Sequence, residues 1–318
     1  MNVHYDIFET GLIRYKKPVV TLGTFDGVHL GHRGLIEKVL KEAKSRSTRA
    51  VVLTFDPHPR VVISPNEAPK LLTTLVEKLK RFDEMGVEEV AVLRFDLNLS
   101  ELDAVSFVRQ ILIKKLDLGK LVIGYDHCFG KDRSGGIALL KKLSKEFMFD
   151  LEVFGPVRYR GEPISSSRIR QALYGGEFGK ALEMLGQDYL VSGERVAGKG
   201  RGRKLGFPTL NMLTAEHKLL PPEGVYASRV EIGRRRLGGM TYIGTRPTFG
   251  ESQRSLEVHL FDYETAPQAA GLEKNSRQVH IYTEKYVRPN IRFASPEELI
   301  KQLKKDEKNI RKLLREDL

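Results

Sequence analysis

The chain has 318 residues, 41% hydrophobic and 30% charged, with a formal net charge of +12, which is length enough for two domains with sizeable cores. A single cysteine, Cys128, excludes an internal disulfide and a cysteine-based zinc cluster. No stretch approaches the ~20 apolar residues of a membrane helix and the first residues lack a signal pattern, so a cytoplasmic protein with no membrane partner is expected. The positive balance suits nucleic acid, an acidic surface or phosphate-rich small molecules alike. From residue 18 to about 155, β-branched runs alternate with amphipathic stretches: VVTLGTF, HRGLIEKVLKEAKSRS, AVVLTF, LTTLVEKLKRFDEMG, VEEVAVLRF, LDAVSFVRQILIKKL and KLVIGY. That alternation predicts βαβ units and a parallel sheet clad in helices, with ligands beyond the carboxyl ends of the strands. After about residue 186 the texture changes to short strands between glycine and proline turns, as in GVYASRVEIGRRRLGGMTYIG and SLEVHLFDY, which favours a small antiparallel barrel. A final helix is predicted from Ser295, with a serine cap and a proline at its first position. The expected domains are therefore 1–186, α/β, and 187–318, a barrel with a terminal helix. Neither internal repeats nor low-complexity tracts interrupt them.

The first motif is TLGTFDGVHLGHRGLI, Thr21 to Ile36, where a strand gives way to a helix. Gly23, Gly27 and Gly31 let backbone approach a ligand, and the helix N-terminus offers free N–H groups to an anion. His29 and His32, three residues apart, can donate to α-phosphate oxygens where charge builds up in a transition state. A second reading makes His29 a turn cap and His32 a half-buried helix residue. The segment PISSSRIRQALYGG, Pro163 to Gly176, likewise reads two ways. Its serines start a helix, with Ser165 or Ser166 as cap, and Arg170 adds a bidentate phosphate partner, or it is a capped helix with a solvated basic face.

Together, G-x-F-D-G-V-H-x-G-H and, some 130 residues on, I-S-S-S-x-I-R resemble the adenylyltransferase half of the bifunctional bacterial riboflavin kinase/FAD synthetases, a Rossmann-like branch of the nucleotidyltransferase superfamily. FDPHP at Phe55 to Pro59 and GYDHCFGKDRSG at Gly124 to Gly135 match intermediate landmarks. The resemblance implies transfer of AMP from ATP to FMN, with FAD and pyrophosphate as products. It would place His29 and His32 on ATP phosphates within a turn shaped by Gly23, Phe25, Asp26, Gly27 and Gly31. Ser166, Ser167 and Arg170 would hold the outer phosphates, with Asp126 and Phe129 near flavin or nucleotide. Relatives often carry arginine where this chain has Cys128.

In the C-terminal half, Gly193 to Lys199 has the glycine and lysine spacing of a P-loop, but Gly200 follows where a Ser or Thr would bind Mg²⁺. What remains is GKGRGRKLGFPTLN, Gly198 to Asn211. Flexible glycines with Lys199, Arg201, Arg203 and Lys204 can close over a polyphosphate, and Thr209 and Asn211 on one strand face can offer oxygens to a hard cation. The residues alone favour a solvated basic turn beside a strand edge. With PPEGVYA, IGTRPTFG and LEVHLFDY in order, the segment is similar to the flavokinase module, a six-stranded barrel that phosphorylates riboflavin with MgATP. The resemblance implies that Gly198, Gly200, Arg203, Gly206 and Pro208 line ATP, that Thr209 and Asn211 position Mg²⁺, that Arg288 contacts flavin and that Glu257 is the general base. Alternation alone makes Glu257 an outward-facing strand residue. Two departures are visible: a long ETAPQAAGLEKNSRQ after Tyr263 and Asn290 where relatives carry glutamate.

The resulting expectation is riboflavin to FMN in the barrel and FMN to FAD in the α/β domain, with ATP, ADP, pyrophosphate and the flavins as partners. The alternatives are an adenylyltransferase with a regulatory flavin-binding barrel, and an RNA-binding H-x-G-H protein. The latter lacks a K-M-S-K-S-like segment and aromatic RNP strands, so no nucleic-acid partner is expected. Nothing in the pattern specifies self-association.

Overall fold

The computed structural model describes residues 1–5, 16–198, 201–246, 251–262 and 277–315. The chain divides into two compact units, residues 1–71 with 78–166 and residues 72–77 with 167–318.

The first unit is built on strands β1 (Asn2–Tyr5), β2 (Val19–Leu22), β3 (Ala50–Asp56), β4 (Glu89–Arg94), β5 (Lys120–Gly124) and β6 (Asp150–Phe154), all parallel in the order β1-β4-β3-β2-β5-β6. Between them run α1 (Leu30–Ser45), the short α2 (Pro59–Ile63), α3 (Leu75–Glu84), the short α4 (Leu97–Ser100), α5 (Ala104–Phe107) continuing into a wider π-type turn over Val108–Ile113, and α6 (Ile137–Phe147). Central strands are buried on both faces, as covered parallel strands require: all four residues of β2 and the first five of β3 are inaccessible. Leu35, Ile36, Val39 and Ala43 of α1 recur at helical spacing and are buried. A second helical layer places Phe107, Val108, Ile111 and Leu112 against Leu121, Ile123 and Leu140 in one core.

Strand order reverses at β2, which has β3 on one side and β5 on the other. In an open parallel sheet the crevice for a ligand lies at such a switch point, beyond the carboxyl ends of the strands. The histidine turn leaves β2 at that place.

The chain continues through a two-stranded ribbon, β7 (Arg158–Tyr159) and β8 (Glu162–Pro163), into α7 (Ser166–Tyr174) and α8 (Phe178–Leu185). The second unit centres on β9 (Tyr189–Val196), β10 (Thr209–Thr214), β11 (Gly224–Ile232), β12 (Arg235–Arg246), β13 (Glu251–Leu260) and β14 (Gln278–Arg288), with the short α9 (Arg201–Lys204) before β10. They close in the order β10-β13-β12-β11-β14-β9, each neighbouring pair antiparallel. This is the six-stranded barrel expected from the sequence. Its closure leaves no edge to pair with other chains. The terminal helix α10 (Pro296–Arg315) packs Ile310 and Leu314 against Phe207, Val225, Ala227, Met240 and Phe261.

A buried ion pair stands inside this unit. Lys218 and Glu77, both with fully inaccessible side chains, meet at 2.8 Å. The Lys218 ammonium also donates to the carbonyls of Leu72 at 2.5 Å and Leu190 at 2.7 Å and lies 4.4 Å from the centre of the Tyr189 ring. Glu77 accepts from the backbone N–H groups of Thr74 and Ser192. Burying two charges is tolerable because each is hydrogen-bonded on several sides.

Candidate functional site

The histidine turn is a strained structure. Phe25 (φ 48°), Gly27 (φ 85°) and Val28 (φ 41°) all adopt left-handed backbone, costly for a bulky and for a β-branched residue. Buried Phe25 sustains the turn by meeting Phe82 of α3 edge-on at 5.7 Å and the His32 ring at 5.3 Å. Gly23 faces the Phe25 ring, where an added Cβ would come within 3.3 Å. At Gly31 a Cβ would come within 3.1 Å of the His29 ring, so a small residue keeps that imidazole in place.

His29 is the N-cap of α1, its Nδ1 accepting from the His32 N–H at 3.4 Å. The cap reading and the ligand reading are therefore compatible. With Nδ1 used as an acceptor, the ring proton sits on Nε2, available to a ligand. The helix begins at Leu30, so His32 lies in its first turn. The two imidazoles stack, centroids 3.6 Å apart and planes 17° from parallel. His32 Nδ1 is buried with no hydrogen-bond partner among the described residues.

Burial pushes the His29 pKa down to about 4, only partly offset by the Asp26 carboxylate, and pushes His32 well down too, aided by His29 and by Lys78. Both rings are uncharged near neutral pH, and an arriving anion would draw protons onto them. The sign for stability follows. The unfolded histidine binds a proton below about pH 6.5 and the folded one only near pH 4, so His29 stabilises the fold above 6.5, and that contribution is lost as pH falls from 6.5 to 4. The amount is on the order of 3 kcal/mol. Urea midpoints should fall across that window, and His29→Gln should flatten the slope; an equally steep slope in the variant would contradict the assignment.

Asp26 is 2% exposed, and its carbonyl accepts from the Ser166 hydroxyl at 2.9 Å. That bond joins the two motifs that lie some 130 residues apart in sequence. Ser166 is the first residue of α7, and Ser167 and buried Arg170 follow on the same helix. Asp126 is exposed, beyond β5, while Phe129 is largely buried in the core against Phe107 at 5.6 Å. Cys128 between them is exposed.

In the barrel, Thr209 and Asn211 alternate with buried Leu210 and Met212, and Asn211 stands directly opposite Glu257 on β13. The Thr209 hydroxyl donates to Glu257 Oε2 at 3.1 Å. Glu257 is thus on the face opposite buried Leu256 and Val258, as alternation predicts, and that face also carries Thr209 and Asn211. His259, the next residue on it, donates from Nδ1 to the Pro208 carbonyl at 2.9 Å and meets buried Phe207 edge-on at 5.1 Å, fixing the F-P-T segment. The basic glycine segment is not a loose loop throughout. Arg201–Lys204 form a helical turn closed by Phe207 N–H on Gly202 O at 2.8 Å, with Gly206 in left-handed backbone (φ 80°). A Cβ at Gly198 would collide with the Asn211 amide, so that glycine admits the amide. Arg203 is exposed on the turn. Gly200 and Lys199 lie outside the described residues, as do most of the long segment after Tyr263 and the end of IGTRPTFG. The glycine of the P-loop look-alike, Gly193, sits inside strand β9.

Arg288 pairs with Asp306 of α10, Nε to Oδ2 at 2.8 Å, and donates to the Pro289 carbonyl. Asn290 donates to the Ile243 carbonyl at 3.3 Å, and its amide oxygen is buried without a partner among the described residues. Lys78 and the Glu77–Lys218 pair carry no motif in the sequence. The available signal was a lysine on an apolar stripe, three residues after Leu75 and four before Phe82.

Among known proteins, the family profile described as FAD synthetase matches residues 14–168, and that described as riboflavin kinase matches residues 185–314. The bifunctional riboflavin kinase/FMN adenylyltransferase of Escherichia coli strain K12 is 37% identical over 290 residues, covering 91% of this chain and 90% of that protein. The chain belongs to this family. The protein of the same description from Listeria monocytogenes is 35% identical over 295 residues, 92% of this chain and 91% of its own. A crystal structure described as a macrolide-efflux protein from Streptococcus pneumoniae has a TM-score of 0.81 at 30% identity, covering 98% of this chain and 99% of that one. Among the described residues, no helix of this family member is long and apolar enough to cross a membrane.

Proposed function

We propose that the family's two activities run in sequence here: the segment 187–318 phosphorylates riboflavin to FMN, and the segment 1–186 joins FMN to AMP from ATP, releasing pyrophosphate. The observation that carries this reading is the Ser166–Asp26 bond, which unites the H-x-G-H turn with the S-S-S-x-I-R helix start at the sheet's switch point.

In the adenylyl step an FMN phosphate oxygen attacks the α-phosphorus of ATP and the bond to the β-phosphate oxygen breaks. No protein nucleophile is needed. His29 Nε2–H, His32 and the first-turn amides of α1 stabilise charge on the α-phosphate, while Ser166, Ser167 and Arg170 hold the outer phosphates. In the kinase step Glu257 takes the proton of the ribityl hydroxyl as its oxygen attacks the γ-phosphorus and ADP leaves.

A magnesium ion suits the donor set at Thr209 and Asn211: a hydroxyl and an amide oxygen beside a carboxylate, few protein ligands, with room for the phosphates and waters that Mg²⁺ prefers. When bound it would neutralise phosphate charge. Thr209 meanwhile holds Glu257 in place. We assign the protein to the cytoplasm, where its nucleotide substrates are available.

The test is to incubate the protein with riboflavin, ATP and Mg²⁺ and to follow FMN, FAD and pyrophosphate by chromatography. FMN should appear first, then FAD with pyrophosphate. FAD formed only from added FMN would favour a regulatory barrel.

A further inference from the structure

Helix α3 buries a lysine on the side that faces the histidine turn. Lys78 is 6% exposed, and an ammonium withdrawn from water is unfavourable unless its surroundings compensate it. Among the described residues its hydrogen bond is to Thr54 Oγ1 at 3.1 Å. The Thr54 hydroxyl donates onward to the carbonyl of Thr24, the residue before Phe25, at 3.4 Å. Four residues beyond Lys78, Phe82 braces Phe25 and through it His32. One face of one helix therefore supports the turn twice, by a polar chain and by an aromatic one.

The charges around this lysine explain what it does there. The turn contains a buried carboxylate, Asp26, and Asp56 ends the neighbouring strand β3. Both act electrostatically on Lys78, which burial nonetheless lowers to about 8. The two imidazoles are uncharged. Neutral rings beside the buried Asp26 carboxylate would repel a triphosphate, and Lys78 is a buried cation that offsets it. In a water-poor setting a fixed charge of this kind is worth far more than one at the surface.

We propose that Lys78 is a positioning residue for adenylyl transfer, its ammonium anchored on Thr54 as the fixed positive charge beneath the turn that receives the α-phosphate. The proposal rests on the adenylyltransferase reading of that turn.

The test compares the full-length protein with Lys78→Met, which keeps the length and removes the charge, and with Lys78→Arg. Both activities are measured in each preparation, and the histidine ring protons are titrated by NMR. Lys78→Met should lower kcat/KM for ATP in adenylylation by about 100-fold, the scale of losing one preorganised electrostatic partner. Riboflavin phosphorylation in the same sample should stay within about twofold, since Lys78 belongs to the other unit. The His32 titration should move up, because a cation holding it down has gone. Adenylylation within about threefold of the parent, or an unmoved His32 titration, would overturn the proposal. If Lys78→Met does not fold, Lys78→Arg decides: adenylylation kept within about tenfold supports it, and loss with phosphorylation intact overturns it. A parent protein that releases no pyrophosphate from ATP and FMN would instead defeat the adenylyltransferase reading itself.

Discussion

Glu257→Gln should lose riboflavin phosphorylation by about 10²–10⁴-fold while FMN adenylylation proceeds unchanged. Glutamine keeps the volume and an oxygen for the Thr209 hydroxyl, now 3.1 Å from Oε2, so the strand face with Asn211 stays assembled. What it lacks is a basic oxygen to take the ribityl proton. Because phosphoryl transfer with a loose transition state asks mainly for an oriented acceptor, the loss should fall on kcat more than on KM. Chromatography of FMN from riboflavin and ATP measures one step, and FAD from supplied FMN the other. Near-parent FMN formation by Glu257→Gln would remove the carboxylate from the mechanism; loss of both products would mean that the steps are not separate.

The converse result is expected at the histidine turn. His29→Ala and His32→Ala should each reduce adenylylation by about 10²–10³-fold, the usual consequence of deleting a preorganised donor, and leave phosphorylation near the parent rate. The two should differ in stability. His29→Ala loses the cap of α1, about 1 kcal/mol, whereas His32→Ala also removes a ring packed between His29 and Phe25 and leaves a cavity. Pyrophosphate release measures activity and urea midpoints measure stability. Full adenylylation by either variant would leave no role for that ring at the α-phosphate.

Much of the architecture was legible because local patterns carry it. Alternating strand and helix runs gave the parallel sheet, and glycine and proline punctuation gave the barrel. Strand β1 was not legible: Asn2–Tyr5 is a short edge strand, exposed at both ends and without an apolar run. At the sites, glycine placement and serine caps are local signals, and they found the turn and the start of α7. Pairings across long separations left no local mark. The bond from Ser166 to Asp26 spans 140 positions and that from Thr209 to Glu257 spans 48, and here only family resemblance joined the partners. Burial was equally hidden at Phe129, whose motif suggests a ligand but whose ring joins the core, and at Arg288, which Asp306 engages from the terminal helix. The burial of Lys78 is not legible either, because lysine on a helix ordinarily reads as solvated.

The Glu77–Lys218 pair bears on how such a molecule can be dissected. The change of sequence texture suggests a cut near residue 186, yet the barrel's compact unit borrows residues 72–77 from far upstream. A fragment starting at 187 would inherit Lys218 with its Leu190 carbonyl and lose the carboxylate that sequesters it, leaving a cation without its counter-charge in a dry interior. Excision of the barrel is thus an amputation rather than a separation: the heterologous piece would have to hydrate that lysine, deprotonate it or find a substitute anion before it could close.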